Sequence, residues 1–278
     1  MTDDHHTPAP TEKDRVVALL RQEWSSIAQL LETLPDEAWS RPALPGWDVH
    51  DVVAHLVGGE RMLTGAERPA ATPDSEIGGH IHNEIARLNE DWVVVLRRRS
   101  HGELLADFNA VTAQRLAALD QMSVADFDAP SWTPVGQATY GRFMQVRVFD
   151  AWMHEQDIRV ATDRPGHEQG PVAEQSLSEV VGALGYIIAK RGQAPDGSSV
   201  TIRLTGPIER DLHVKVDGRA KVVEALDGSP TATLSLSSSL FLRLAGGRVD
   251  PDSVLDAIGL DGDLDLARQL ATHLAYTI

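Results

Sequence analysis

Asp150 and His154 stand four residues apart in "RVFDAWMHEQDIRVAT" (Arg147 to Thr162). This stretch has helical spacing, so at ~100° per residue the two side chains share one face, about 40° apart. An i, i+4 pair is how a single helix presents two donors to one ion. Phe149, Met153 and Val160 form the adjoining apolar arc, which puts the pair beside a core, while Glu155 and Arg159 are expected in solvent. A third donor is available from "PGWDVHDVVAHLVGGERMLTG". There, Val52, His55, Leu56 and Gly59 follow the i, i+3, i+4, i+7 pattern, so His55 falls on the buried stripe. His50 falls off that stripe and is expected at the surface. Two imidazoles and a carboxylate from two facing helices would suit zinc or another divalent ion with one position left open, the arrangement of catalytic metal sites. Arg147 and Asp157 flank the set, one turn to either side, and are candidates to orient the ligands. The same residues also fit a plainer role, since an inward histidine is commonly a hydrogen-bonded member of a core. His80 and His82 of "HIHNEIA" resemble a ligand cluster but suit an exposed helix start equally well, and His5 and His6 lie in a polar N-terminal tail.

The elements that must position these residues follow from periodicity. "EKDRVVALLRQEWSSIAQLLETLP" places Val16, Leu20, Trp24, Ile27, Leu31 and Leu34 at helical intervals and stops at Pro35. A second helix begins near Asp48. A third runs from "HIHNEIARLNEDWVVVLRRR" into "HGELLADFNAVTAQRLAALDQM", with a break expected near Ser100–Gly102. "SWTPVGQAT" reads as a loop, Arg147–Thr162 belongs to a fourth helix, and "PVAEQSLSEVVGALGYIIAKRG" makes a fifth. Together these suggest a four-helix bundle with an additional helix. After "GQAPDGSS" the character changes. "SVTIRLTG", "DLHVKVDG", "AKVVEALDG" and "ATLSLS" are short strand-like segments divided by Gly and Asp turns, and helical pieces follow around "SSLFLRLAGG" and "LDLARQLATHL". The expected organisation is a disordered tail over 1–11, a helical bundle over 12–192 and a small α+β domain over 199–278, joined near Gln193–Ser198.

Composition narrows the chemistry. The 278 residues include no cysteine, which removes Cys-based zinc sites, disulfides and a cysteine nucleophile, so any thiol chemistry must use a thiol from outside. A net charge of −16 argues against broad nucleic-acid binding, which needs clustered Lys and Arg. The basic run "LRRRS" (Leu96–Ser100) reads as a solvated helix end. No apolar run approaches a membrane span, and the N-terminus lacks a signal-peptide core, so a cytoplasmic protein is expected. The metalloprotease, nucleophile-elbow, phosphate-loop and dinucleotide fingerprints are all missing.

"LPDEAWSRPALPGWDVHDVVAHLVGGERML" carries the cadence W-x-x-P-x-x-x-G-W-x-V-x-D-x-V-A-H-L. In this it resembles the N-terminal domain of the mycothiol-dependent maleylpyruvate isomerase family. The later stretch resembles that family's second signature, in which a carboxylate and a histidine one turn on complete a metal site. The resemblance implies a DinB-like four-helix bundle followed by a sterol-carrier-like α+β domain, with His55, Asp150 and His154 as metal ligands. It further implies zinc or another divalent metal, mycothiol as thiol cosubstrate, and transfer to, or isomerisation of, a small electrophile. One departure stands out: the isomerase itself has Glu where this chain has Asp150, which weakens any transfer of substrate. A metal-dependent hydrolase using bound water and a non-catalytic metal- or small-molecule-binding protein remain as alternatives. The general acid is not named. Arg147, Arg203 and Arg243 are candidate cations for an anionic substrate, and a homodimer is compatible with the sequence.

Overall fold

The computed structural model describes residues 10–73, 78–79, 81–133 and 136–277. His5, His6 and His80, and most of the expected tail over 1–11, lie outside them. The chain forms two compact units, Met1–Pro165 and Gly166–Ile278.

The first unit is helical. Helix α1 (Glu12–Glu32) opens on a capping box in which the Thr11 hydroxyl and Asp14 carboxylate satisfy each other's backbone N–H groups. The same device, built from Asp48 and Asp51, starts α2 (Val49–Leu63) directly after a small hairpin of β1 (Pro42–Leu44) and β2 (Trp47–Asp48). Helix α3 (Glu84–Leu96) is separated from α4 (His101–Gln121) by a further capping box, Ser100 with Glu103, which is the physical cause of the break expected there. A short α5 (Val124–Phe127) follows. "SWTPVGQAT" is an antiparallel hairpin of β3 (Pro130–Thr133) and β4 (Gly136–Thr139) rather than an irregular loop, and it feeds straight into α6 (Tyr140–Thr162). Asp163, in the left-handed region at φ 55°, ends α6. Helices α1, α2, α4 and α6 pack on one another as the bundle, with α3 laid against α2. Val16, Leu20, Ile27, Leu31, Phe108 and Trp152 fill its core. α6 is buried on nearly every side over its central turns, so Glu155 lies inside, while Val160 is 54% exposed; the sequence suggested the reverse for both.

The second unit begins earlier than the join near Gln193–Ser198 expected from composition. Helix α7 (Pro171–Tyr186), continued by a π turn over Ile187–Arg191, packs on the sheet of the second unit. Its Val172, Leu177, Val180 and Leu184 stripe is the cover for that sheet, so the additional helix of the sequence reading belongs here. The sheet has the order β7-β6-β5-β8-β9, with β5 (Ser199–Thr205), β6 (Arg210–Asp217), β7 (Arg219–Val223), β8 (Ala232–Ser237) and β9 (Gly259–Gly262). All pairings are antiparallel except β5 with β8, which are parallel. α8 (Ser238–Ala245) and α9 (Leu264–Ala271) complete the layer. β9 is missing from the sequence reading because "GLDG" has neither alternation nor β-branched residues.

Candidate metal centre

The α2 and α6 helices bring His55, Asp150 and His154 together. One donor atom from each lies within 4.8 Å of the other two. His55 Nε2 is 3.7 Å from Asp150 Oδ2, and His154 Nε2 is 3.7 Å from Asp150 Oδ1. The two imidazole centroids are 4.6 Å apart at 65°. Trp47, at the end of the β1–β2 hairpin, walls the same space, with its ring centroid 5.3 Å from that of His55 and 6.5 Å from that of His154. Its indole N–H donates to Glu90 on α3 at 2.8 Å, which fixes the wall. Both histidines are buried, whereas the Asp150 side chain keeps 32% exposure, so the cluster meets solvent on the carboxylate side.

The chemistry of this set fits a cation. Among the described residues, neither ring nitrogen of His55 meets a hydrogen-bond partner, although both are buried. Such orphaned groups are uncommon in cores, where an unmet polar atom costs about 1–3 kcal/mol. Burial pushes the His55 imidazolium pKa down, against the pull of Asp150, and keeps the ring neutral, as a ligand requires. Burial works against ionisation of Asp150, but the Arg147 guanidinium and the two imidazoles outweigh it and hold the carboxyl well below its usual range. Two imidazoles and one carboxylate form a donor set common to zinc and related divalent ions.

Both flanking residues singled out from the sequence touch ligands. His154 Nδ1 lies 3.1 Å from Asp157 Oδ2, and Arg147 Nη1 donates to Asp150 Oδ2 at 2.6 Å. Missing from the sequence reading is the group behind Arg147. Glu60 is 1% exposed, and its Oε1 accepts from Arg147 Nε at 3.0 Å and Nη2 at 2.6 Å. Its Oε2 accepts from Arg115 Nε of α4 at 2.9 Å, and Arg115 Nη2 donates to the Tyr140 hydroxyl at 2.8 Å. For Arg147, desolvation alone would favour loss of the proton, but Glu60 and Asp150 hold it firmly as a cation. The visible signal was "GGE" at Gly58–Glu60. A Cβ on Gly59 would sit 3.3 Å from Arg147 Nη2, so the glycine leaves the space in which the guanidinium lies.

Other candidates fall elsewhere. His50 is buried, contrary to the sequence expectation, because its Nε2 bonds the Arg99 carbonyl at 3.0 Å across the α3–α4 turn. Asp48, His50 and Asp51 also cluster, but Asp48 caps α2 and Asp51 holds Arg97 at 2.8 Å. Arg97, Arg98 and Arg99 of "LRRRS" are exposed, as expected of a solvated helix end, and Arg97 and Arg99 pair there with Asp51 and Asp107. A surface recess of about 440 Å³ runs along these residues, and its lining includes none of His55, Asp150 and His154. His82 is exposed. In the second unit, Arg203 is exposed and paired with Asp211, and Arg243 is half-buried on α8.

Comparison with known proteins places these features in a family. The model of the mycothiol maleylpyruvate isomerase N-terminal domain matches residues 20–159, and that of the MDMPI C-terminal domain matches residues 174–269. A crystal structure of mycothiol-dependent maleylpyruvate isomerase superposes with a TM-score of 0.54 at 17% identity, covering 94% of this chain and 96% of that one. A histidine-to-alanine variant of the isomerase superposes at 0.57 with the same identity and coverage. At this identity the likeness speaks for the fold alone. A comparison with curated protein sequences gives no match. No helix among the described residues is long and apolar enough to cross a membrane. With the bundle, the mixed-sheet unit and both domain models in agreement, the chain belongs to the mycothiol maleylpyruvate isomerase family.

Proposed function

We propose that this chain is a metal-dependent enzyme that uses mycothiol to transfer sulfur to, or isomerise, a small electrophile in the cytoplasm. The observation that carries the reading is the buried, unsatisfied His55 imidazole facing Asp150 and His154. In this reading the three residues hold the metal, zinc by the nature of the donors. A bound divalent cation there supplies the charge that favours a thiolate over its thiol near neutral pH. His55 and His154 present ring nitrogens, and Asp157 accepts from His154 Nδ1 so that Nε2 faces the cluster. Arg147 keeps Asp150 ionised. Trp47 limits the space beside the imidazoles and excludes water from that side. The absence of cysteine makes an external thiol the sulfur source.

Cobalt-substituted protein titrated with mycothiol tests this. The expected result is a sulfur-to-metal charge-transfer band and release of about one proton per site, because coordination requires the deprotonated sulfur. Both should vanish in His154→Ala. Turnover without thiol and no such band at saturating mycothiol would instead identify a hydrolase, and metal retention without any turnover a binding protein.

A further inference from the structure

Asp150 has two oxygens with different surroundings. Oδ2 accepts a short, charge-assisted hydrogen bond from Arg147 Nη1 at 2.6 Å. Oδ1 is the oxygen that faces His154 Nε2. Arg147 has little freedom to leave. Its Nε and Nη2 are both on Glu60 Oε1, its guanidinium lies over Gly59, and Glu60 is held from behind by Arg115. The chain therefore presents one carboxylate oxygen, Oδ2, that is already bound to a fixed cation although it also lies 3.7 Å from His55 Nε2, and one, Oδ1, turned to His154. A second cation seated on Oδ2 would face the guanidinium across a single atom, in a partly buried setting where repulsion is weakly screened.

We propose that Arg147, clamped by Glu60, reserves Oδ2 of Asp150, so that this carboxylate offers a metal only Oδ1 and the protein contributes three donor atoms in all. This rests on the metal reading above and deepens it, because Glu60 becomes a positioning residue that keeps coordination places free for outside ligands. The arrangement separates two tasks that a carboxylate gripping through both oxygens would merge. Affinity comes from His55, His154 and Oδ1, while the count of open places is set by a pair of residues that need never touch the ion.

The test is the visible spectrum of the full chain loaded with cobalt, whose ligand-field bands weaken as the coordination number rises. Wild type should show the intense bands of a low-coordinate ion. In Arg147→Met, Oδ2 is released and the bands should weaken several-fold, with helical content preserved because Glu60 keeps Arg115. Arg147→Lys retains the charge but cannot span Glu60 and Asp150 together, so it should shift in the same direction even if the methionine variant fails to fold. Arg21→Lys, at an exposed pair with Asp120, should leave the spectrum as in wild type. Wild-type band intensities in folded Arg147→Met or Arg147→Lys overturn the inference while leaving the metal reading intact. Failure of the wild type to take up cobalt overturns both.

Discussion

His154 Nδ1 and Asp157 Oδ2 are 3.1 Å apart on one face of α6, with both side chains buried. A carboxylate only accepts, so the imidazole donates from Nδ1 and its Nε2 lone pair faces His55 and Asp150. Asp157→Asn removes that bias, because an amide can also donate to Nδ1. Such partners behind a ligand typically contribute 10–100-fold in metal affinity. Asp157→Asn should therefore bind zinc about 10–100-fold more weakly in a chelator competition, with its helical signal intact. Unchanged affinity would show that Asp157 serves packing only.

His55 sets stability against binding. Its two buried nitrogens lack partners among the described residues, which costs the metal-free fold about 1–3 kcal/mol. His55→Leu should raise the thermal midpoint of the chelator-treated protein and abolish metal uptake. A lower midpoint for the metal-free variant would mean that the imidazole is satisfied after all.

Glu23 on α1 is fully buried and faces Glu155 of α6, which Ser26 and Arg159 also contact. Burial pushes the Glu23 carboxyl well above its ordinary value, and the Glu155 carboxylate pushes it further, against the opposite pull of Arg159. Folding thus favours the protonated form. The contribution is fully present below the unfolded-chain value near 4.5 and is lost as pH rises through the folded value. Urea midpoints measured upward from about pH 4.5 should fall more steeply in wild type than in Glu23→Gln, which cannot ionise. Parallel curves would remove Glu23 from the account.

The division at Pro165–Gly166 predicts how the chain can be cut. Residues 1–165 should be soluble, helical and able to hold one divalent ion per chain. A fragment ending at residue 192 carries α7 without its sheet, leaving Val172, Leu177, Val180 and Leu184 uncovered, and should aggregate more readily. Light scattering and metal analysis of the two fragments decide the matter. Equal solubility would favour the later boundary.

Much of this was visible in the residues. The i, i+4 spacing of Asp150 and His154 and the apolar stripe through His55 are local patterns, and each is borne on one helix. Glu60 was not visible, because its partners Arg147 and Arg115 lie 87 and 55 residues away and no periodicity links them. The glycines before it were a clue of a different kind. A Cβ on Gly58 would lie 2.5 Å from the Trp92 Cβ, so α2 and α3 meet there as closely as their backbones allow. The burial of Glu155 and His50 escaped notice because amphipathic reasoning assumes one wet face, and α6 and the start of α2 have hardly any. The place of α7 escaped notice because an apolar helical stripe does not say whether a helix or a sheet covers it.

The Arg147–Glu60 bond closes a span of 87 residues between α6 and α2. Loops of that length close late in folding, because their entropy is lost before distant contacts repay it. The three donors straddle the same span, so a chain emerging in order offers no complete site until α6 docks. A metal ion can therefore act only on the finished bundle. It would slow unfolding and leave the folding rate nearly unchanged, making the ion a latch on the native state and no guide to reaching it.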